Sequence, residues 1–388
     1  MITISLCMIV RNEEQTLGRC LDSVFDLTDE IIIVDTGSKD RTREIAANYT
    51  DKIFDFEWID DFAAARNFSF SLATQEYILW LDADDYLLEA DREKFRRLKE
   101  TLSPDVDAAL MDYVLTRDPL GGAQNITRRH RLLRRDRHFR WVGPVHEYIP
   151  VTGKVLRTDI EITHAPNVAT KDLGRNLRIL RKMIGQNGGQ TDLRSQFYLA
   201  NELLTSGQTE EAEKQYLALL ASEAENFEDH INACGALSHI YHEAGDKERE
   251  LQYLMRTFRY ARPRADYCCR IGLWFQENGR FDLAVFWHEL ALMLGEPDSV
   301  HGLINKASWT WMPHVQLAVC YGKLGMLEKA WEHNERALAY YPNDPVLLNN
   351  RKILENAMGH AAQTSSAPGP DGESANGEEK ACSEGESA

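Results

Sequence analysis

The feature that most limits how this chain can fold is a spacing of mostly small residues that recurs in its second half. Three segments repeat intervals of 7, 5 and 7 positions, and a fourth segment keeps the same intervals in degenerate form. The second position of each copy is a glycine, at Gly207, Gly245, Gly279 and Gly325. Small side chains at these offsets let two antiparallel helices approach closely, and glycine permits the tight turn between them. The spacing therefore predicts a series of helical hairpins.

This pattern resembles tetratricopeptide repeats over roughly 194–356, and the segment 314–342 is its most regular copy. The resemblance implies an all-α repeat domain, which we expect to span 171–358. Concave repeat surfaces commonly bind extended partners, so a partner held by the repeats is expected. From 359 to 388 the composition shifts to Ala, Ser, Gly, Pro and Glu without any aromatic residue, which predicts a disordered acidic tail.

The first half of the chain alternates apolar runs with segments of helical spacing. Strands are predicted at 2–10, 31–34, 52–56 and 77–81, and helices at 13–25, 42–49 and 62–73. This order favours an α/β domain with a mostly parallel, Rossmann-like sheet, which we place at 1–170. The part from about 106 to 162 is richer in strand signals and in arginine, and predicts a mixed extension on the acceptor side of a site.

The charge and composition of the 388-residue chain exclude several classes of protein. A formal charge of −17 gains little from phosphate backbones, so no nucleic-acid partner is expected. No apolar run approaches the roughly 20 residues that span a bilayer, and the N-terminus is typical of a first strand rather than a signal peptide. Peripheral association with a membrane is compatible with the absence of such a run. The seven scattered cysteines form no C-x-x-C pair, which favours a soluble cytoplasmic protein without a zinc site.

Polar clusters follow three of the apolar strands. Ligands of open parallel sheets bind beyond the carboxyl ends of the strands, so these clusters should surround one crevice. The candidate residues are Arg11, Asn12, Glu13, Asp35, Asp40, Asp82 and Asp84.

Asp82 and Asp84 form a D-x-D motif in which alternate side chains share one side of an extended segment. Carboxylate oxygens suit Mn²⁺ or Mg²⁺, and substrate phosphates usually complete the coordination of such ions. A single D-x-D also occurs in solvated turns, so the signal lies in the order and spacing of the three clusters together. They predict a metal-assisted site for a nucleotide-linked substrate.

The segment from about 3 to 110 resembles family 2 glycosyltransferases of the GT-A fold. The matching motifs are N-E-E after the first strand, V-D-T-G-S-x-D after the second, the A-R-N helix that contains Arg66, and L-D-A-D-D. With the helical repeats, the chain is most similar to the branch that includes bacterial peptide glycosyltransferases of the sublancin type.

The resemblance implies an inverting transfer of a hexose-type sugar from a nucleotide sugar, usually a UDP-sugar, to a peptide, protein or glycan acceptor. It places Asp35 at the nucleobase, Asp40 and Arg66 at the nucleotide and diphosphate, Asp82 at the ribose and metal, and Asp84 on the metal. Arg11, Asn12 and Glu13 should line the same pocket. Related enzymes have a metal-ligating histidine near the position of His164, so this residue joins Asp82 and Asp84 as a candidate ligand.

The catalytic base implied by the resemblance is a carboxylate, and the segment Gly143-Pro144-Val145-His146-Glu147 offers one after a turn. We assign Glu147 as the base and keep His146 as its rival, because the family more often has Glu-Asp at this place. Of the arginines between 128 and 140, Arg131 is the first candidate to clamp a diphosphate, since arginine presents a fork of donors to phosphate oxygens.

Two other functions compete with glycosyl transfer. A repeat-based scaffold with a degenerate transferase domain would need no intact site, whereas Asp35, Arg66, Asp82 and Asp84 are all present. A nucleotidyltransferase of similar fold usually needs a glycine-rich triphosphate loop near the first strand, and the sequence has none there.

Overall fold

The computed structural model of the chain describes residues 1–166, 172, 174–222, 227–297 and 302–365, with side chains to residue 359. The predicted tail therefore lies outside the described residues from 366 onwards. The first half forms a sheet covered by helices, as predicted. Its elements are β1 (Ile4–Val10), α1 (Leu17–Val24), β2 (Glu30–Asp35), α2 (Thr42–Ala46), β3 (Ile53–Asp55), α3 (Phe62–Ser71), β4 (Tyr77–Trp80), β5 (Asp85–Tyr86), α4 (Glu89–Thr101), β6 (Ala108–Arg117), β7 (Ala123–Arg134) and β8 (Val155–His164).

The sheet has the strand order β3-β2-β1-β4-β7-β6-β8-β5. The four strands β3, β2, β1 and β4 run parallel, whereas β7 is antiparallel to both β4 and β6. The mostly parallel first part and the mixed extension are both confirmed. Because β1, β2 and β4 are parallel, their carboxyl ends open at the same edge.

The central strands are buried on both faces, which explains their continuous apolar sequences. In β1 and β2, Leu6, Met8 and Ile33 pack into the larger core on one face of the sheet. Their neighbours Cys7 and Ile32 pack into a second core on the other face. Alternate residues thus belong to different layers, as the period of a β-strand requires.

The second half is helical apart from one short strand among its described residues. Its elements are α5 (Arg175–Gln186), α6 (Leu193–Thr205), α7 (Thr209–Ala221), α8 (Phe227–Glu243), α9 (Lys247–Arg256), α10 (Ala265–Glu277), α11 (Phe281–Leu294), β9 (Ile304–Asn305), α12 (Trp311–Lys323), α13 (Leu327–Tyr340) and α14 (Pro345–Ser365). Helix α14 continues past residue 359, where the sequence predicts the start of the tail.

The repeated glycines lie at the turns of the helical hairpins, as the sequence predicts. Gly207, Gly245, Gly279 and Gly325 have φ angles of 75°, 73°, 72° and 74°, in the left-handed region that favours glycine. At the first of them, the amide after the glycine, that of Gln208, donates to a carbonyl one turn back in α6 at 2.9 Å. Each glycine therefore ends one helix and reverses the chain into the next.

Among the described residues, the helical region contacts the sheet domain at several places. Val145, from the loop after β7, packs into the core formed by α5 to α8. Farther along, β9 pairs with β7 in antiparallel register, and Glu296 accepts from Arg157 at 2.7 Å. The repeats are thus fastened to the sheet through both apolar packing and strand pairing. No helix in the described part of the chain has the length and apolar character that crossing a membrane requires.

Candidate active site

A pocket of about 400 Å³ opens at the carboxyl ends of β1 and β4 and extends to the first helices of the repeat region. Of the residues that the sequence predicts for the site, those that line it are Arg11, Glu13, Arg66, Asp82, Asp84, Arg131, His146, Glu147 and His164. Residues from six separate segments of the sheet domain therefore converge on a single cavity.

Arg66 lines the pocket and joins two carboxylates. Its Nε donates to Glu147 Oε1 and its Nη2 to Asp82 Oδ1, both at 2.7 Å. The guanidinium also lies over the rings of Trp80 and Trp141, at 5.1 and 4.8 Å from their centroids. Burial raises the pKa of Asp82, but the charges of Arg66 and Arg131 outweigh burial and hold that pKa below its usual range. Asp82 is therefore an anion at neutral pH.

A second cluster could hold a metal ion. Antiparallel pairing of β5 with β8 sets Asp85 opposite His164, and the ligand atoms of Asp84, Asp85 and His164 all lie within 4.8 Å of one another. His164 Nδ1 is 3.5 Å from Asp84 Oδ1 and 2.7 Å from the hydroxyl of Tyr113. Buried Asp85 Oδ1 has no hydrogen-bond partner among the described residues. Carboxylate oxygens and an imidazole suit Mn²⁺ or Mg²⁺, so these residues fit a divalent cation.

The charges of this cluster favour a cation. Burial lowers the pKa of His164, but Asp84 and Asp85 raise it by more, to about 9. The sequence predicts Asp82, Asp84 and His164 as metal ligands, whereas the described cluster has Asp85 in place of Asp82. The Oδ1 of Asp82 instead accepts from Arg66.

Three of the predicted nucleotide-binding residues, Asn12, Asp35 and Asp40, are not among those that line the pocket. The carboxylate of Asp35 is only 3% exposed and accepts from the amide of Ser38 at 3.2 Å and from Arg43 at 3.3 Å. Its side chain is thus already occupied by donors of the protein, and the neighbouring Thr36 faces the pocket instead.

Asn12 and Asp40 brace the loops after β1 and β2 against each other. Asn12 has a left-handed φ of 56°, and its Oδ1 accepts from the amide of Lys39 at 2.8 Å. Asp40 accepts from the amides of Thr42 at 3.0 Å and Glu14 at 3.1 Å. These bonds give the two residues a part in shaping the pocket's rim.

The loop that carries Glu147 and His146 folds tightly against α3. Gly143 and His146 have φ angles of 94° and 52°, and the carbonyl of Pro144 accepts from the amide of Phe62 at 2.8 Å. Glu147 thereby turns towards Arg66, with only 12% of its side chain exposed.

His146 turns the other way, towards the repeats. Its Nε2 lies 2.9 Å from Glu202 Oε1, and its ring stacks on that of Tyr198 with centroids 4.1 Å apart. The two candidate bases are therefore held by different parts of the molecule.

Arg131 is a buried structural cation rather than an open phosphate clamp. It is 1% exposed, its guanidinium lies 3.8 Å from the ring centroid of Trp80, and its Nη2 is 3.0 Å from Asp85 Oδ2. The sequence prediction that Arg131 grips a diphosphate is not supported by this geometry, because its charge is directed at Asp85.

Some pocket residues come from the repeats and are not indicated by any sequence motif. Arg175 and Asn176 at the start of α5, and Tyr198 of α6, line the cavity. Nothing in the repeat spacing marks these positions, since they lie before or within the first hairpin. The aromatic lining from Trp80, Tyr113 and Trp141 was also missed, although two of these residues adjoin the D-x-D and Gly-Pro segments.

Comparisons with known proteins agree with this arrangement. The family model for glycosyl transferase family 2 matches residues 5–160. A TPR repeat-containing protein of Synechococcus elongatus is 30% identical over 350 residues, which cover 88% of this chain and 76% of that protein. The chain belongs to the family 2 glycosyltransferases that carry a TPR region.

Two further relatives match only part of this family 2 glycosyltransferase. The SPbeta prophage-derived glycosyltransferase SunS of Bacillus subtilis is 32% identical over 148 residues, which cover 37% of this chain and 34% of SunS. A tetratricopeptide repeat protein from Parabacteroides merdae has a TM-score of 0.38 and 16% identity, over 51% of this chain and 72% of that one. The chain thus spans about a third of the length of SunS.

The family match ends before His164 and before the helical region. The pocket of this glycosyltransferase nevertheless includes His164, Arg175 and Tyr198. The pocket is therefore lined by residues from outside the matched segment as well as by residues within it.

Proposed function

We propose that this family 2 glycosyltransferase moves a hexose-type sugar from a UDP-sugar to a peptide, protein or glycan acceptor, with inversion at the anomeric carbon. The observation that carries the proposal is that the Arg66-bound carboxylates line one pocket together with Asp84 and His164 of the metal-binding cluster. An anionic sugar nucleotide needs cationic partners, and transfer of its sugar needs a base beside them.

Asp84, Asp85 and His164 would hold Mn²⁺ or Mg²⁺, which neutralises charge that develops on a departing diphosphate. Asp82 is not part of this cluster, and its Oδ1 is engaged by the ion pair with Arg66. Its proposed part is to fix Arg66, and through Arg66 to orient Glu147.

Glu147 is the proposed general base. It takes the proton from the acceptor's hydroxyl or thiol while the acceptor atom attacks the anomeric carbon. The bond from that carbon to the diphosphate breaks, and the electron pair leaves with the nucleoside diphosphate. Glu147 Oε1 is held by Arg66, whereas no hydrogen bond to Oε2 is recorded among the described residues. One oxygen is thus anchored and the other is free to accept a proton.

His146 is the rival base, since its ring lies against Glu202 in the manner of an oriented imidazole. The stacking of its ring on Tyr198 and its hydrogen bond to Glu202 hold the imidazole at the repeat interface. One pair of variants therefore tests both candidate bases.

The repeats are the proposed holder of the acceptor, since the first of their helices reach the pocket itself. We also propose a cytoplasmic location, as the scattered cysteines of the sequence lead us to expect.

The experiment compares Glu147→Gln with His146→Gln in two assays. UDP release from a panel of UDP-hexoses with Mn²⁺ measures turnover, with water as the acceptor, and calorimetry with UDP and Mn²⁺ measures binding. Glu147→Gln should lower turnover by roughly a hundredfold or more and leave UDP binding unchanged. Full turnover in Glu147→Gln together with loss in His146→Gln would transfer the role to His146. Absence of any nucleotide binding by the folded protein would favour the scaffold instead.

A further inference from the structure

The pocket contains arginines of two kinds. Arg66 and Arg131 are paired with carboxylates, as described above. Arg11, Arg129 and Arg175 also line the pocket, but none of them has an ion-pair partner among the described residues. Three arginines of the pocket are therefore not committed to an ion pair with the protein and could pair with an anionic ligand.

Arg175 is the most informative of these three because it comes from the repeat region. It is the first residue of α5, and its guanidinium lies 4.7 Å from the ring centroid of Phe62 in the sheet domain. Partial desolvation lowers the pKa of Arg175, the carboxylates of Asp172 and Glu147 offset this only in part, and the nearby charge of Arg11 lowers it further. Arg175 of the repeat region and Arg11 of the sheet domain thus line one pocket, and neither makes an ion pair with a described carboxylate.

Negative charge supplied by a ligand would stabilise two cations that make no close ion pair with the protein. Arginine presents a rigid fork of donors that matches phosphate oxygens, and two such forks match a diphosphate better than a single carboxylate. The same pocket is lined by Asp84 and His164, which form a cluster with the buried Asp85 that suits a divalent cation of the kind that accompanies nucleoside diphosphates.

We propose that Arg175 and Arg11 together bind the diphosphate of the donor, in place of the clamp that the sequence assigns to Arg131. This inference rests on the proposed function and adds to it a role for the repeats. Helix α5 completes the donor site, so the helical region is part of the active site and does more than hold an acceptor.

The test measures binding of UDP and of uridine by calorimetry with Mn²⁺ at fixed ionic strength. The variants are Arg175→Gln, Arg175→Lys and Arg11→Gln. The matched control is Arg181→Gln, on the same helix, whose exposed side chain contacts Gln208 and Glu211 outside the pocket. Circular dichroism confirms that each variant is folded.

We expect Arg175→Gln and Arg11→Gln to weaken UDP binding by roughly tenfold or more, because charge-assisted hydrogen bonds to phosphate are lost. Uridine binding should be unchanged, Arg175→Lys should recover part of the UDP affinity, and Arg181→Gln should bind as the unaltered protein does. Unchanged UDP affinity in Arg175→Gln would overturn the inference while leaving the proposed function in place. An equal loss for uridine and UDP would also overturn it, because charge would not be the cause. If the unaltered protein binds no UDP, the proposed function itself fails.

Discussion

Replacing Arg66 with methionine should destabilise the sheet domain strongly, because Arg66 is the shared partner of two carboxylates. The Arg66 side chain is 9% exposed, and the substitution would remove the ion-pair partner of Glu147, at 12%, and of Asp82, at 33%. Removing one partner of a buried ion pair costs about 3–5 kcal/mol. Because a third of Asp82 is exposed to water, which screens its charge, we expect the lower end of that range, about 3 kcal/mol.

Urea unfolding followed by tryptophan fluorescence measures this loss, since Trp80 and Trp141 flank the guanidinium. Asp82 contributes stability above the usual pKa of an aspartate, and the contribution falls as the pH drops towards its lowered pKa. Without Arg66, Asp82 should take up a proton at milder acidity, so the difference in stability between the variant and the unaltered protein should narrow as the pH falls through this window.

The matched control is Arg96→Met, since Arg96 lies on α4 beside the exposed carboxylates of Asp26 and Glu89. Surface ion pairs contribute little, so its unfolding midpoint should hardly move. If Arg66→Met cost no more than Arg96→Met, or if its cost were the same at pH 3 and pH 7, the electrostatic account of the pocket would be refuted.

Two further predictions concern the helical region. A Cβ on Gly272 would lie 2.6 Å from the ring of His288, so Gly272→Ala should cost about 1–3 kcal/mol through overpacking. Gly322→Ala, with nothing within 4 Å of its Cβ, should leave the stability in thermal unfolding unchanged or slightly raised. An equal loss of stability in the two variants would contradict the claim that the Cβ of Gly272→Ala overpacks against His288. Burial lowers the pKa of His288 from 6.5 to about 4, so the unfolded chain binds this proton first on acidification. Stability should fall by up to about 3 kcal/mol between pH 6.5 and pH 4. His288→Gln should reduce this dependence of stability on pH. An equal reduction in His239→Gln, whose histidine is exposed, would contradict the assignment to His288.

The sequence predicts most of the fold because its signals are local. The apolar runs of β1, β2 and β4 are continuous since both faces of these strands are buried. The turn glycines could be located because only a left-handed φ suits the reversal between hairpin helices, as at Gly279. The convergence of Arg66, Asp82 and Glu147 on one pocket also agrees with the motif analysis.

The remaining features depend on pairings that are distant in sequence. Asp85 joins Asp84 in the cation cluster because β5 pairs with β8, nearly eighty residues away, and no local pattern specifies that register. Arg131 resembles a phosphate-binding arginine in sequence, but burial over Trp80 directs it at Asp85. Arg175 reaches the pocket only because α5 packs back on the sheet domain.

The most direct test of the central claim is calorimetry of UDP binding with and without Mn²⁺, in the unaltered protein, in Asp84→Ala and in the control Asp159→Ala. Asp159 is 85% exposed and lies outside the pocket. We predict that UDP binds the unaltered protein and Asp159→Ala only when Mn²⁺ is present, and that Asp84→Ala loses this Mn²⁺-dependent binding. UDP binding that is indifferent to Mn²⁺ and to Asp84→Ala, or no UDP binding by the folded protein, would contradict the account.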